Sequence, residues 1–311
     1  MAYLINKKLV IGIASSALFD LEESHAIFVA EGEEKYREHQ KKNLDVVLQK
    51  GVAFSFIKRF LGINKNHQED MPVEVILLSR NDPDTGQRVF NSIKHYGLDI
   101  TRAAFLSGKS PYKYIPAFNV SLFLSANASD AKEAIKAGYP AGTVIPSEFT
   151  DAETDNELRV AFDFDGVIAD DEAETQYQRQ ENLDDFHDYE NKNVDTSHNP
   201  GPLSDFFKKL SALQKMEIKK ERNENDYKRI IRIAIITARG APAHQRVITT
   251  LNEWGVLPDE TFFLGGVEKN NILQVLKPHI FFDDQMKHID PVAKNIPSVH
   301  IPFGIRNLEI I

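Results

Sequence analysis

Two carboxylates stand one residue apart in the string VAFDFDGVIAD, Asp163 and Asp165, directly after an apolar run and directly before Gly166. Side chains at i and i+2 can address one site where a buried strand opens into a loop, and glycine permits the tight turn that the opening needs. One carboxylate can attack a phosphorus as a nucleophile, while the other protonates the departing oxygen and later activates water. Alone, the pair is weak evidence, a solvated turn being the commoner origin of such a string. Three more apolar runs end on polar side chains. In IRIAIITARG, Thr237 can donate to a phosphate oxygen that gains charge in the transition state, and Arg239 two residues on is a candidate substrate contact. In FFLGGVEKNNILQVL, two glycines lead to Lys269 at the start of a helical pattern, an ammonium able to bind phosphate and keep an aspartate ionised. In KPHIFFDDQ the run closes on Asp283 and Asp284, which with Asp163 suit a hard cation such as Mg2+ that takes oxygen ligands; Asp165 completes the candidate metal set. A helix cap, a turn or an exposed lysine is the commonplace alternative for each of these taken singly.

The runs that carry these residues have strand length. VEVILLS, IRIAIIT, FNVSLFLS and PHIFFDD alternate with amphipathic stretches such as QRVITTLNEWGV. That alternation predicts an α/β fold, mostly parallel Rossmann-like sheets with helices on both faces, and ligands in such sheets bind beyond the carboxyl ends of the strands. An internal repeat refines the picture. Residues 79–125 lie without gaps against residues 237–283, with QRV at 87–89 over QRV at 245–247 and FLSG over FLGG. GVAFSFIKRFL resembles GPLSDFFKKL, and EEKYREHQKKN and LDDFHDYENKN precede them. Two related units are expected, 1–149 and 150–311, divided in the acidic, turn-rich PSEFTDAETDNE of residues 146–157. Roughly 70 residues separate Asp165 from Thr237, more than one crossover needs. The helical stretch around Tyr177 to Tyr189 and the polar NKNVDTSHNPG predict a small cap over about 170–200, with an ordinary surface excursion as the competing reading.

Composition removes several classes. The chain has 311 residues, 42% of them apolar, and its 46 acidic against 37 basic side chains leave a formal charge of -9, which argues against a nucleic-acid polymer or an anionic membrane as partner. Zero cysteines exclude disulfides, thiolate zinc sites and cysteine nucleophiles. No run reaches the roughly 20 apolar residues that span a bilayer. Lys7 and Lys8 before LVIGIASSALF imitate a secretory leader, yet the same string reads as a buried first strand. GKS at 108–110 lacks the earlier glycine of a P-loop, Ala103 standing there, and neither GxSxG nor HExxH occurs. His244 is read as a structural or solvated histidine near Arg239.

In combination the four strand ends, in the order DxD, Thr, Lys, DD, resemble the haloacid dehalogenase superfamily of phosphohydrolases. The resemblance implies Asp163 as nucleophile, Asp165 as general acid/base, Thr237 and Lys269 as phosphate binders, Asp283 and Asp284 as the acidic pair at the metal, and Mg2+ as cofactor. As acid/base, Asp165 must carry a proton for part of the cycle, which acidic neighbours would favour. The strings ITARGAPAHQRVITTLNEWGV, DETFFLGGVEK and KPHIFFDDQMKHI, with ASSALFDLEESHAIF, NSIKHYGLDITRAAFLSGKSP and YKYIPAFNVSLFLSANASD in the first half, are similar to the cytosolic 5'-nucleotidase type I family over nearly the whole chain. That similarity implies hydrolysis of nucleoside 5'-monophosphates, AMP among them, a small-molecule nucleotide as partner, and a cytoplasmic location. In the first half the equivalents are altered: Ala14 and Ser16 replace Asp163 and Asp165, Ser79 replaces Thr237, Pro111 replaces Lys269, and Ser125 and Ala126 replace Asp283 and Asp284. A catalytically silent copy is therefore expected there. A phosphatase of sugar phosphates or other small phosphomonoesters, or a nonenzymatic nucleotide-binding protein, remain the alternatives at this level.

Overall fold

Strands that are apolar on both faces must be covered on both faces, and a parallel sheet flanked by helices is the arrangement that does so. The computed structural model describes residues 4–151, 156–180 and 183–308. The chain forms two compact units, Met1–Val144 and Ile145–Ile311. Of the expected dividing segment 146–157, residues 152–155 lie outside the described residues.

In the first unit LVIGIASSALF becomes β1 (Leu9–Ile13), buried along its whole length, and α1 (Ser15–Leu18). There follow α2 (Glu22–Glu31), α3 (Glu33–Lys42), α4 (Phe54–Asn66), β2 (Val73–Ser79), α5 (Pro83–His95), β3 (Arg102–Phe105), β4 (Val120–Ser125), α6 (Ala128–Lys136) and β5 (Ala141–Ile145). The strands pair in parallel in the order β3-β2-β1-β4-β5. Asp82 caps α5 by accepting from Thr85 N at 2.8 Å, and Pro83 fills the first helical position, where no backbone donor is needed. Val10, Ile76, Leu78 and Phe123 from the strands pack with Ala131 and Ala134 of α6.

The second unit comprises β6 (Leu158–Phe162), α7 (Glu172–Gln180), α8 (Leu183–Lys192), α9 (Ser204–Asn223), β7 (Ile231–Thr237), α10 (His244–Glu253), β8 (Glu260–Phe263), α11 (Lys269–Leu276), β9 (Ile280–Asp283), α12 (Met286–Ile289) and β10 (Ser298–His300). All its strand pairs are parallel, in the order β8-β7-β6-β9-β10. Successive side chains leave a strand on opposite faces, and the two faces have different partners. Ala161, Ala234, Ile236 and Phe281 pack with Leu273 of α11, whereas Phe162 and Phe282 stack at 5.1 Å and meet Phe206 and Phe207 of α9. Each of those buried rings contributes about 2–3 kcal/mol by leaving water. The fold class is thus the expected α/β with a mostly parallel sheet and helices on both sides.

The excursion over about 170–200 is helical, α7 and α8, with residues 181–182 outside the described residues. It leaves and returns at one place, where Ala169 and Pro200 form an antiparallel bridge. Gly201 N donates to Ile168 O at 2.8 Å, and a Cβ on Gly201 would come within 2.2 Å of Ala169 O, so only glycine allows the two backbones this close. Among the described residues no helix is long and apolar enough to cross a membrane.

Candidate active site

The strand order makes a crevice. From β6 the chain proceeds outward to β7 and β8, then returns to lay β9 on the other side of β6, so the strand order reverses between β6 and β9, where parallel sheets open a crevice beyond their carboxyl ends. Asp163 follows β6, Asp283 ends β9, Asp284 follows it, and Thr237 ends β7. The crevice therefore collects polar side chains from strands far apart in sequence.

Asp163 is 4% exposed and is fixed twice, by its own N–H donating to Phe282 O at 2.8 Å and by Phe164 N donating to its Oδ1 at 2.7 Å. Its other oxygen lies 2.6 Å from Lys269 Nζ, which also lies 2.7 Å from Asp283 Oδ2. Lys269 is the first residue of α11, where the helix dipole disfavours a cation, so these two carboxylates are what hold it there. Burial opposes its charge, but Asp163 and Asp283 keep the ammonium well above its ordinary value. For Asp283, burial pushes upward while Lys269 and His288 outweigh it and hold the carboxyl low. Burial pushes Asp163 up despite Lys269, with the charges of Asp283 and Asp165 adding to it. Asp284 is raised furthest, to about 9, by burial and by the charges of Asp163 and Asp283.

Thr237 Oγ1 accepts from Arg239 N at 3.2 Å, which leaves its own hydrogen to donate. Gly166 has φ +71, and a Cβ there would sit 2.7 Å from the Asp284 carboxyl carbon, so the turn after Asp165 needs glycine for both conformation and space.

A divalent cation fits this donor set. Asp163, Asp283 and His288 offer ligand atoms within 4.8 Å of one another, and Asp284 Oδ1 is buried without a hydrogen-bond partner. Crowded, raised carboxylates with an orphan oxygen are what a hard cation would relieve. His288 stands 3.2 Å from Asp283 Oδ2 through Nδ1, and a nitrogen donor is better suited to orienting that carboxylate than to ligating Mg2+.

Asp165 has the acidic neighbours expected for it, its charge adding to the upward shifts of Asp163 and Asp284, and it also faces a cation. Arg239 Nε and Nη2 donate to its two oxygens at 2.8 and 2.7 Å. Arg239, the candidate substrate contact, is itself buried, lies over the rings of Phe164 and Phe186, and donates from Nη1 to Glu190 of α8. Glu190 also accepts from Arg246 at 3.1 Å, and His198 Nε2 stands 3.0 Å from Arg239 Nη2. Sequence reasoning passed over Glu190, His198, Arg246 and His288. The repeated QRV was the one signal for Arg246, while Glu190 and His198 lay in strings read only as a helical stretch and a polar loop.

Burial pushes the Glu190 carboxyl up, but its hydrogen bond with His198 and the charge of Arg239 pull it from 4.5 down to about 2. A carboxyl depressed by folding stabilises above its unfolded value and loses that contribution as pH falls through its folded value. Denaturant unfolding from pH 6 to pH 2 should therefore show the wild type losing about 3 kcal/mol more than Glu190→Gln, beginning below 4.5. Parallel stability curves would contradict this.

A family model described as 5'-nucleotidase matches residues 1–308. The human protein cytosolic 5'-nucleotidase 1B is 37% identical over 289 residues, covering 91% of this chain and 47% of the relative, so the chain spans about half the length of that protein. No solved structure matches the chain.

Proposed function

Because the chain belongs to the 5'-nucleotidase family, we propose that it is a Mg2+-dependent phosphohydrolase releasing phosphate from nucleoside 5'-monophosphates through an aspartyl-phosphate on Asp163. The observation that carries the reading is the convergence of Asp163, Thr237, Lys269, Asp283 and Asp284 at the carboxyl ends of β6, β7 and β9 and the start of α11. In the first step an Asp163 oxygen attacks phosphorus, the bond from phosphorus to the 5' oxygen breaks, and Asp165 gives its proton to that oxygen, freeing the nucleoside. In the second, Asp165 takes a proton from water, the water oxygen attacks the same phosphorus, and phosphate leaves with Asp163 restored. Thr237 donates to a phosphoryl oxygen, and Lys269 offsets the charge that Asp163 and Asp283 present to an anionic substrate. Mg2+ would be held by Asp163, Asp283 and Asp284, the oxygens of Asp165 being taken up by Arg239, and when bound would supply charge neutralisation for the phosphoryl group. The second unit is read as haloacid dehalogenase-like, with α7 and α8 as a small cap.

Residues 1–149 are read as a related, catalytically silent unit. Supporting this, the two units share a strand order, and Gly51 N donates to Leu18 O at 2.9 Å as Gly201 N does to Ile168 O at 2.8 Å. Ala14 N donates to Leu124 O where Asp163 N donates to Phe282 O, both at 2.8 Å, yet alanine brings no carboxylate.

The test is phosphate release from AMP, IMP, CMP, UMP and dAMP beside several sugar phosphates, with Mg2+ and with EDTA. Metal-dependent release favouring nucleotides is expected. A preference for sugar phosphates would keep the chemistry and discard the substrate class, and release undiminished by EDTA would discard the metal.

A further inference from the structure

The buried charges around Arg239 exceed what the chemistry at Asp163 requires. The Glu190 side chain is 1% exposed, and its oxygens are divided between Arg239 and Arg246. Arg246 in turn donates to Thr196 O at 2.9 Å and to Glu172 of α7 at 3.3 Å. The first unit contains the same scaffold. There Arg88 Nε donates to Val46 O at 2.8 Å and Nη1 to Gln40 at 3.4 Å. Leu48 N donates to Ser92 Oγ at 3.0 Å as His198 N donates to Thr250 Oγ1 at 3.0 Å, and Asn81 N donates to Ser79 Oγ at 3.1 Å as Arg239 N does to Thr237 Oγ1 at 3.2 Å.

Packing of the helix and loop against the sheet thus uses an arginine at 88 or 246 in both units, but it does not require charge elsewhere. Gln40, Asn81 and Ser16 stand where the second unit has Glu190, Arg239 and Asp165. The three charges are present together in one unit and absent together from the other, although the supporting hydrogen bonds are retained. Glu190 follows Arg239, the guanidinium it pairs with, and Arg239 follows Asp165, the carboxyl it binds.

We propose that Glu190 is a positioning residue for proton transfer by Asp165: it fixes Arg239, and Arg239 grips both oxygens of Asp165. The proposal rests on the reading of Asp165 as the acid/base. The guanidinium suits the task because its donors form a rigid fork, with two on Asp165 and one on Glu190, and because it lies over the rings of Phe164 and Phe186. Only the Asp165 end is open, its side chain being 19% exposed against 3% for Arg239. Glu190 belongs to α8, so the grip on Asp165 depends on that helix being seated. A carboxyl held before substrate arrives needs no reorganisation during the reaction.

Leaving-group dependence separates this role from a structural one. A nucleoside 5' oxygen needs a proton to depart, whereas p-nitrophenolate does not. Single-turnover release of the leaving group, with enzyme in excess and Mg2+ present, would be measured for AMP and p-nitrophenyl phosphate in wild type, Glu190→Gln, Arg239→Lys and Asp165→Asn. Glu190→Gln is expected to slow nucleoside release by about tenfold or more beyond any slowing of nitrophenol release, and Arg239→Lys to show the same imbalance. Equal losses on both substrates, or no loss, would overturn the proposal. If Asp165→Asn itself loses equally on both, the reading of Asp165 as proton donor is what fails. Glu190→Gln copies the neutral partner that Arg88 already has in Gln40, and Arg239→Lys, which leaves Glu190 in place, carries the comparison should that variant not fold.

Discussion

Asp163→Asn is expected to lower turnover of AMP by about 10⁴-fold or more while leaving the fold intact. Asparagine keeps the carbonyl oxygen that accepts from Phe164 N, and the main-chain bond to Phe282 is untouched. What it removes is the anionic oxygen that faces Lys269 and, in the proposed mechanism, attacks phosphorus. Phosphate release with Mg2+ present, together with thermal unfolding, reads both parts. Appreciable residual turnover by a folded variant would transfer the nucleophile elsewhere.

Lys269→Met is expected to damage stability and activity together. The ammonium lies between Asp163 and Asp283, both buried, and removing one partner of a buried ion pair costs about 3–5 kcal/mol because the remaining charge is uncompensated. Turnover should fall by about 10²–10³-fold, since a cationic group facing developing phosphoryl charge is worth several kcal/mol. Mg2+ should restore part of the lost stability but little of the activity, because an ion binding the folded state supplies the missing positive charge without reproducing the lysine's contact to phosphate. Urea unfolding in EDTA and in Mg2+ tests this, and a variant as stable as wild type in EDTA would exclude a charge-compensating role for Lys269.

Much of the site was legible because it is written at strand ends. Asp163, Thr237, Asp283 and Asp284 each follow an apolar run, and parallel pairing aligns the carboxyl ends of such runs whatever lies between them. Lys269 was legible for a related reason, since two glycines and a helical pattern mark where a helix begins. The Asp165 environment was legible only in part. The neighbouring carboxylates were expected, but the fold adds Arg239 to them, because a strand end tells where a side chain starts but not which partner a rigid fork will reach.

Glu190 was beyond sequence reasoning altogether. It lies 49 residues before Arg239, on a helix whose composition reads as polar, and only docking of α8 turns its carboxyl inward to be buried between two guanidinium groups. His288 met Asp283 by the same kind of event, one turn of α12 folding back over the end of β9. The sequence by itself determined the strands that carry the site and the polar residues at their ends, since apolar runs and chain continuity are local, whereas the short β5 and β10 were not legible. Tertiary structure alone decided which charges meet, because a buried ion pair is set by the packing of separate elements and leaves no periodic trace in the chain.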